Sequence, residues 1–176
     1  SQIKYEMNDS ILTLENKIKI EDKQNNILIN SDKIIYDIKN EKIFGLDDSE
    51  ILDNLGNIYI VNEFEYSLRD KVVKLVNLKV FDKEKNLFKI DLAFLDLNRK
   101  ELLAKDVSLD FKILENSQNE PRLKGRSLVS DENNTIVEKG TFTFCKKREK
   151  CPPWEMSADE IRHDKNCLLY TSDAAD

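Results

Sequence analysis

Apolar residues fall at every second position along most of the chain, as in Ile18/Ile20, Ile27/Ile29, Ile34/Tyr36/Ile38, Phe64/Tyr66/Leu68, Phe88/Ile90/Leu92 and Val107/Leu109/Phe111/Ile113. That spacing turns alternate side chains to one face of a strand. Lys, Asp, Asn and Glu fill most of the intervening positions, which gives the second face to water. Short polar breaks at 22–26, 54–57 and 82–86 separate the runs, so the pattern predicts an all-β meander of antiparallel strands. A helical period fits none of these runs well.

The breaks also repeat. Asp22, Asp53 and Asp82 each stand two residues after an apolar position (Ile20, Ile51, Val80), and each is followed by Asn26, Asn57 or Asn86 and then Ile27, Ile58 or Leu87. The period is about 30 residues, the mark of stacked units that share one continuous core. Such units can close as a compact sandwich or as an elongated, rolled antiparallel sheet. Similar unit lengths and an apolar face that keeps its side favour the rolled sheet. With only four Gly in the chain, most turns must use Asn and Asp for tight geometry. On this reading Ile34, Tyr36, Ile60, Tyr66, Phe88, Ile90, Leu109 and Phe111 line one apolar groove.

Composition narrows the function classes. The net charge is −6, or −4 for residues 1–166 once Asp173 and Asp176 are removed, and acidic and basic side chains are interspersed. No basic face points to nucleic acid. No run approaches the roughly 20 apolar residues of a membrane helix. At 40% hydrophobic and 35% charged, the chain has the composition of a folded domain with a strongly polar outside. The last ten residues, 167–176 (CLLYTSDAAD), resemble the translation of a sequencing-library adapter, and the Lys, Ile and Asn bias of the chain stops at Asn166. Residues 1–166 are therefore read as one domain and 167–176 as a non-native tail that packs poorly.

Candidate chemistry is sparse. Cys145 and Cys151 can form a disulfide with each other or with cysteines elsewhere, and joining them to His163 gives three metal ligands at best, with no fourth. Asp47, Asp48 and Glu50 form an acidic run of the kind usually found on a solvated face. A single His and no Gly-rich phosphate loop leave nothing on which to build catalysis. The expectation is a protein that is not an enzyme and uses no cofactor or metal. Trp154, after Pro152 and Pro153, reads as a packing anchor at the end of the roll.

Residues 119–125 (NEPRLKG), 139–145 (KGTFTFC) and 151–165 (CPPWEMSADEIRHDK) resemble the LptD (OstA/Imp) family of LPS-assembly proteins, and the repeats over 18–113 are similar to the OstA-type β-jellyroll, or β-taco. On that ground 155–164 is read as a strand. The resemblance implies a Gram-negative protein at the periplasmic face of the outer membrane, of which this chain is a fragment without signal peptide or barrel. It implies that lipopolysaccharide acyl chains pass along the groove toward the barrel. Implied partners are lipopolysaccharide, a periplasmic β-jellyroll bridge protein joined by edge-strand addition, and the protein's own barrel with its plug lipoprotein. It also makes a long-range disulfide from Cys145 to the barrel an alternative to the local Cys145–Cys151 pair. The competing reading is a secreted β-solenoid that binds or cleaves polysaccharide, which requires aromatic side chains on the outer face.

Overall fold

The computed structural model describes residues 2–6, 10–23, 27–53, 56–83, 85–112, 120–146, 154–164 and 170–174. Among them there is no helix; the protein is all-β. The strands are β1 (Gln2–Glu6), β2 (Ile11–Asp22), β3 (Ile27–Asp37), β4 (Lys42–Leu46), β5 (Ser49–Leu52), β6 (Ile58–Val61) and β7 (Glu63–Ser67). They continue as β8 (Val72–Phe81), β9 (Leu87–Asp96), β10 (Glu101–Asp110), β11 (Arg122–Ser130), β12 (Asn134–Thr143), β13 (Met156–Asp164) and β14 (Tyr170–Ala174). All join one antiparallel sheet, each strand pairing mainly with its neighbours in sequence.

The sheet is rolled because every long strand bends at one polar residue. β3 pairs with β4 through Lys33–Asp37 and with β5 through Leu28–Asn30, while β8 pairs with β7 through Val72–Val76 and with β6 through Lys79–Phe81. Each strand is thus two arms, one in each layer of a folded sheet. The register skips the bend itself: Asn16 and Lys17 are bypassed between Glu15 and Ile18, Asn77 between Val76 and Leu78, and Asp106 between Lys105 and Val107. Left-handed backbone marks this crease on alternate crossings, at Lys17 (φ 54), Asp47 (φ 63), Asn77 (φ 53), Asp106 (φ 54) and Lys139 (φ 50). Asn and Asp tolerate that conformation better than other residues with a side chain.

Turns at both rims carry the repeat. Asp53 accepts hydrogen bonds from the backbone N–H and the Nδ2 of Asn57, both at 2.8 Å, and Asp82 accepts the same pair from Asn86 at the same distances. This is the physical content of the Asp and Asn frame read from the sequence. The third copy, Asp22 and Asn26, lies outside the described side chains. At the opposite rim successive turns stack, with Leu68 N–H donating to Glu41 C=O and Leu97 N–H to Lys71 C=O, each at 2.9 Å.

Burial is greatest beside the crease. Val61, Leu75, Leu78, Ile90, Ala93, Ala104 and Val107 form the core, drawn from both layers. The two arms of β9 contribute Ile90 and Ala93, three residues apart, so the inward phase moves by one residue at the bend. That shift corrects the expectation that the apolar face keeps its phase along a whole strand: Phe88 and Ile90 point inward, but Leu92 lies on the outside, opposite Val76 and Lys105.

Two further expectations fall on the C-terminal part. Segment 155–164 is indeed strand from Met156 onward. Residues 170–174, within the tail expected to pack poorly and make few contacts, pair through their backbone with β13 from His163 to Ala158 as an edge strand. An open sheet edge offers backbone donors and acceptors that any extended segment can satisfy, whatever its sequence.

Candidate functional site

Apolar side chains on the inner face run in rows across the strands, parallel to the crease. In one layer the row starts Ile20, Ile29, Ile51, Tyr59, each directly opposite the next. It continues without a polar interruption through Val80, Phe88 and Leu109 to Leu123, Phe142 and Met156. The facing layer carries Tyr36, Ile43, Tyr66, Val73, Leu95 and Leu102 in the same way. Ten strands spaced about 4.8 Å apart make the first row roughly 40 Å long, whereas the six of the facing row span about 24 Å before it turns polar at Ser130, Thr135 and His163.

Exposure rises from the crease to the mouth. Beside the crease Ile34 and Ile90 are buried, whereas one step outward Tyr36, Tyr66, Phe88 and Leu109 are only half-buried. Ser31 and Ser49 are the polar exceptions in the floor, and they satisfy each other through an Oγ–Oγ hydrogen bond of 2.9 Å. Small residues set how closely the floor packs. The ring of Phe64 occupies the space in which a Cβ at Gly45 would stand.

Seven of the eight residues read from the sequence share this inner face. Ile34 and Ile90 sit in the floor, and Tyr36, Tyr66, Phe88 and Leu109 in the walls. Phe111 follows β10 in the same phase, and its ring meets that of Phe142 edge-on at 6.4 Å between centroids. Ile60 is not among them. Val61 belongs to the core and Tyr59 packs against it, so Ile60 between them turns outward, opposite Glu50 and Lys79. The run Ile58/Ile60 was legible as a strand, but its phase was not. Tyr59 and Val61 are inner-face residues that the alternation alone did not supply. The signal that finds them is the polar crease residue Asn62, past which inward positions must be counted afresh.

Tyr59 has the most perturbed titration. Its hydroxyl donates to Asp53 Oδ2 at 2.9 Å, and its pKa is pushed up to about 12, first by burial and then by the Asp53 carboxylate. One residue thereby ties a wall of the groove to a rim turn.

Near the far end, Trp154 C=O accepts hydrogen bonds from Thr143 Oγ1 at 2.8 Å and from Cys145 Sγ at 3.8 Å. Phe144 lies 6.1 Å from the Trp154 ring, and Phe142 lies 4.7 Å from Phe144. Trp154 is thus the last ring of a short aromatic ladder of tilted and edge-on contacts at this end of the wall. The Cys145–Cys151 pairing lies outside the described residues. His163 stands in β13 opposite Thr135. No family model matches the chain, and no curated protein matches it.

Proposed function

We propose that the protein binds lipopolysaccharide by its acyl chains and conducts it along the inner groove, as a periplasmic domain of an LptD-like outer-membrane assembly protein, without catalysis. The observation that carries this reading is the unbroken apolar row from Ile20 to Met156, half-buried between its two exposed ends. A packed core needs no such continuity. A sliding amphiphile does, because any polar interruption would be a barrier, while each acyl CH₂ withdrawn from water contributes about 0.8 kcal/mol. The saccharide would remain in solvent at the mouth. The motif residues around Pro121, Phe144 and Trp154 supply the family part of the reading, and with it the β-jellyroll bridge protein, the barrel and its plug lipoprotein as partners.

The polysaccharide alternative calls for aromatic side chains on the outer face. Tyr36, Tyr59, Phe64, Tyr66 and Phe88 share the inner face, whereas Phe44, Phe81 and Phe94 stand on the outer face with no second aromatic directly opposite, a balance that favours lipid. Photo-reactive side chains decide between the two. Placed at Tyr36, Tyr59 or Phe88 they are expected to crosslink lipopolysaccharide during transport; placed at Asp37, Glu65 or Lys89, on the outer face, they are not. Crosslinking confined to the outer set, or obtained only with a soluble glycan, rejects the conduit.

A further inference from the structure

The outer face of the same wall is not uniformly polar. Leu28, Leu52, Ile58, Phe81 and Leu87 stand directly opposite one another on five neighbouring strands, on the side away from the groove. Leu52 and Ile58 are exposed, at 38% and 37%. The row lies at the strand ends, just before the turns clamped by Asp53 and Asp82, so it forms a lip. One step behind it Lys79 and Lys89 face each other across β8 and β9. Like charges directly opposite are destabilising in a sheet, and Asp110, 3.4 Å from Lys89, offsets only one of them. Lys83 and Lys85 stand exposed in the turn between. From 79 to 89 four lysines stand against Asp82 and Glu84, in a chain whose net charge is −6.

The lip is backed by lysines over β8 and β9, with Glu50 behind Leu52 and with Glu21 and Asp110 at the two ends of the row; its β8–β9 half complements an anionic bilayer surface, where short apolar side chains enter the headgroup boundary and ammonium groups meet phosphates. A second copy fits less well, because a two-fold contact through this lip would set lysine against lysine. We propose that the lip docks on an anionic lipid bilayer, with Leu52, Ile58, Phe81 and Leu87 inserted and Lys79, Lys83, Lys85 and Lys89 on the phosphates. The acidic remainder of the chain is repelled, which fixes the direction of approach. The groove plays no part in this contact, since Tyr59, Val80 and Phe88 on the same strands point the opposite way.

Cosedimentation of the whole chain with vesicles tests it. Vesicles of phosphatidylglycerol and phosphatidylethanolamine are expected to carry the protein down at low salt and to release it at high salt, and phosphatidylcholine vesicles to leave it in solution. Lys83→Glu with Lys85→Glu alters only an exposed turn and is expected to lower binding by more than ten-fold, at roughly five-fold for each lysine lost. Leu52→Ser with Ile58→Ser is expected to lower it comparably, and Leu103→Ser, on the outer face of the other layer, to leave it unchanged. Urea unfolding of each variant separates lost docking from lost fold. The proposal is overturned by equal sedimentation with phosphatidylcholine, by no sedimentation with either vesicle, by an equal effect of Leu103→Ser, or by a solution dimer that Leu52→Ser with Ile58→Ser dissolves.

Discussion

The ring of Phe64 lies against the backbone of Gly45 on the neighbouring strand, so closely that a Cβ built at 45 would fall 1.9 Å from its Cε1. Gly45→Ala is therefore expected to push the ring toward the mouth and to lower stability by about 1–3 kcal/mol, the usual cost of overpacking. Adding Phe64→Leu should recover part of the loss, because contacting residues couple. Urea unfolding of the two single variants and the double variant measures this, and strict additivity would remove the explanation.

Tyr59 supplies a pH dependence with a definite sign. The folded state raises its phenol from the ordinary 10.0 to about 12, so the neutral form is preferred when folded. Below pH 10 the contribution is fully present; between pH 10 and 12 the unfolded chain ionises first and stability falls. Absorbance at 295 nm should show a tyrosine titrating at about 12 that Tyr59→Phe removes. Asp53→Ala should bring that titration down while leaving it above 10, because burial persists.

The two rim clamps differ in what else depends on them. The Asp82 carboxylate clamps Asn86, whereas that of Asp53 clamps Asn57 and also accepts from the Tyr59 hydroxyl. Asp53→Ala is expected to cost more than Asp82→Ala, by about 1 kcal/mol, for the charged acceptor that the half-buried Tyr59 hydroxyl loses. Equal melting temperatures for the two variants would contradict this.

At the crease, Asp106 holds a left-handed backbone with φ 54. Asp106→Val is expected to lower stability by about 1–2 kcal/mol, because a β-branched side chain fits that region poorly. Asp106→Gly should leave stability level or slightly raised. If Val is tolerated as well as Gly, the crease is not set by backbone conformation.

Removing residues 167–176 should change stability by less than about 1 kcal/mol, since an edge pairing on one side only is readily exchanged for water. Amide hydrogen exchange gives the complementary measurement: protection is expected at Ile90 and Ala104 and little of it at 171–174.

Much of this architecture was legible in the sequence. Alternation such as Phe88/Ile90 gave the strands, and Asp53/Asn57 and Asp82/Asn86 gave the turns, because both are local: a strand shows its faces every second residue, and a clamp closes within five. The bend was not legible from Asn77 or Asp106 as single residues, since a polar residue inside an apolar run reads as one more outward position. Ile60 was assigned to the wrong side for this reason. Its orientation depends on Val61 meeting Leu75 and Leu78 across the fold, which only the closed sheet decides.

The crease also makes the chain unevenly tolerant of insertions and deletions. Lys17, Asp47, Asn77 and Asp106 follow one another at intervals of 30, 30 and 29 residues, and each resets the phase of the arm beyond it. A duplicated or excised block of that size would lengthen or shorten the trough by two strand widths, roughly 10 Å, and leave every remaining side chain on its own side. Loss of one residue beside Asn77 would instead turn one arm of β8 inside out, setting Lys79 among the apolar walls. Length variation among such chains should therefore come in whole units or in the rim turns, and seldom along the line of the bend.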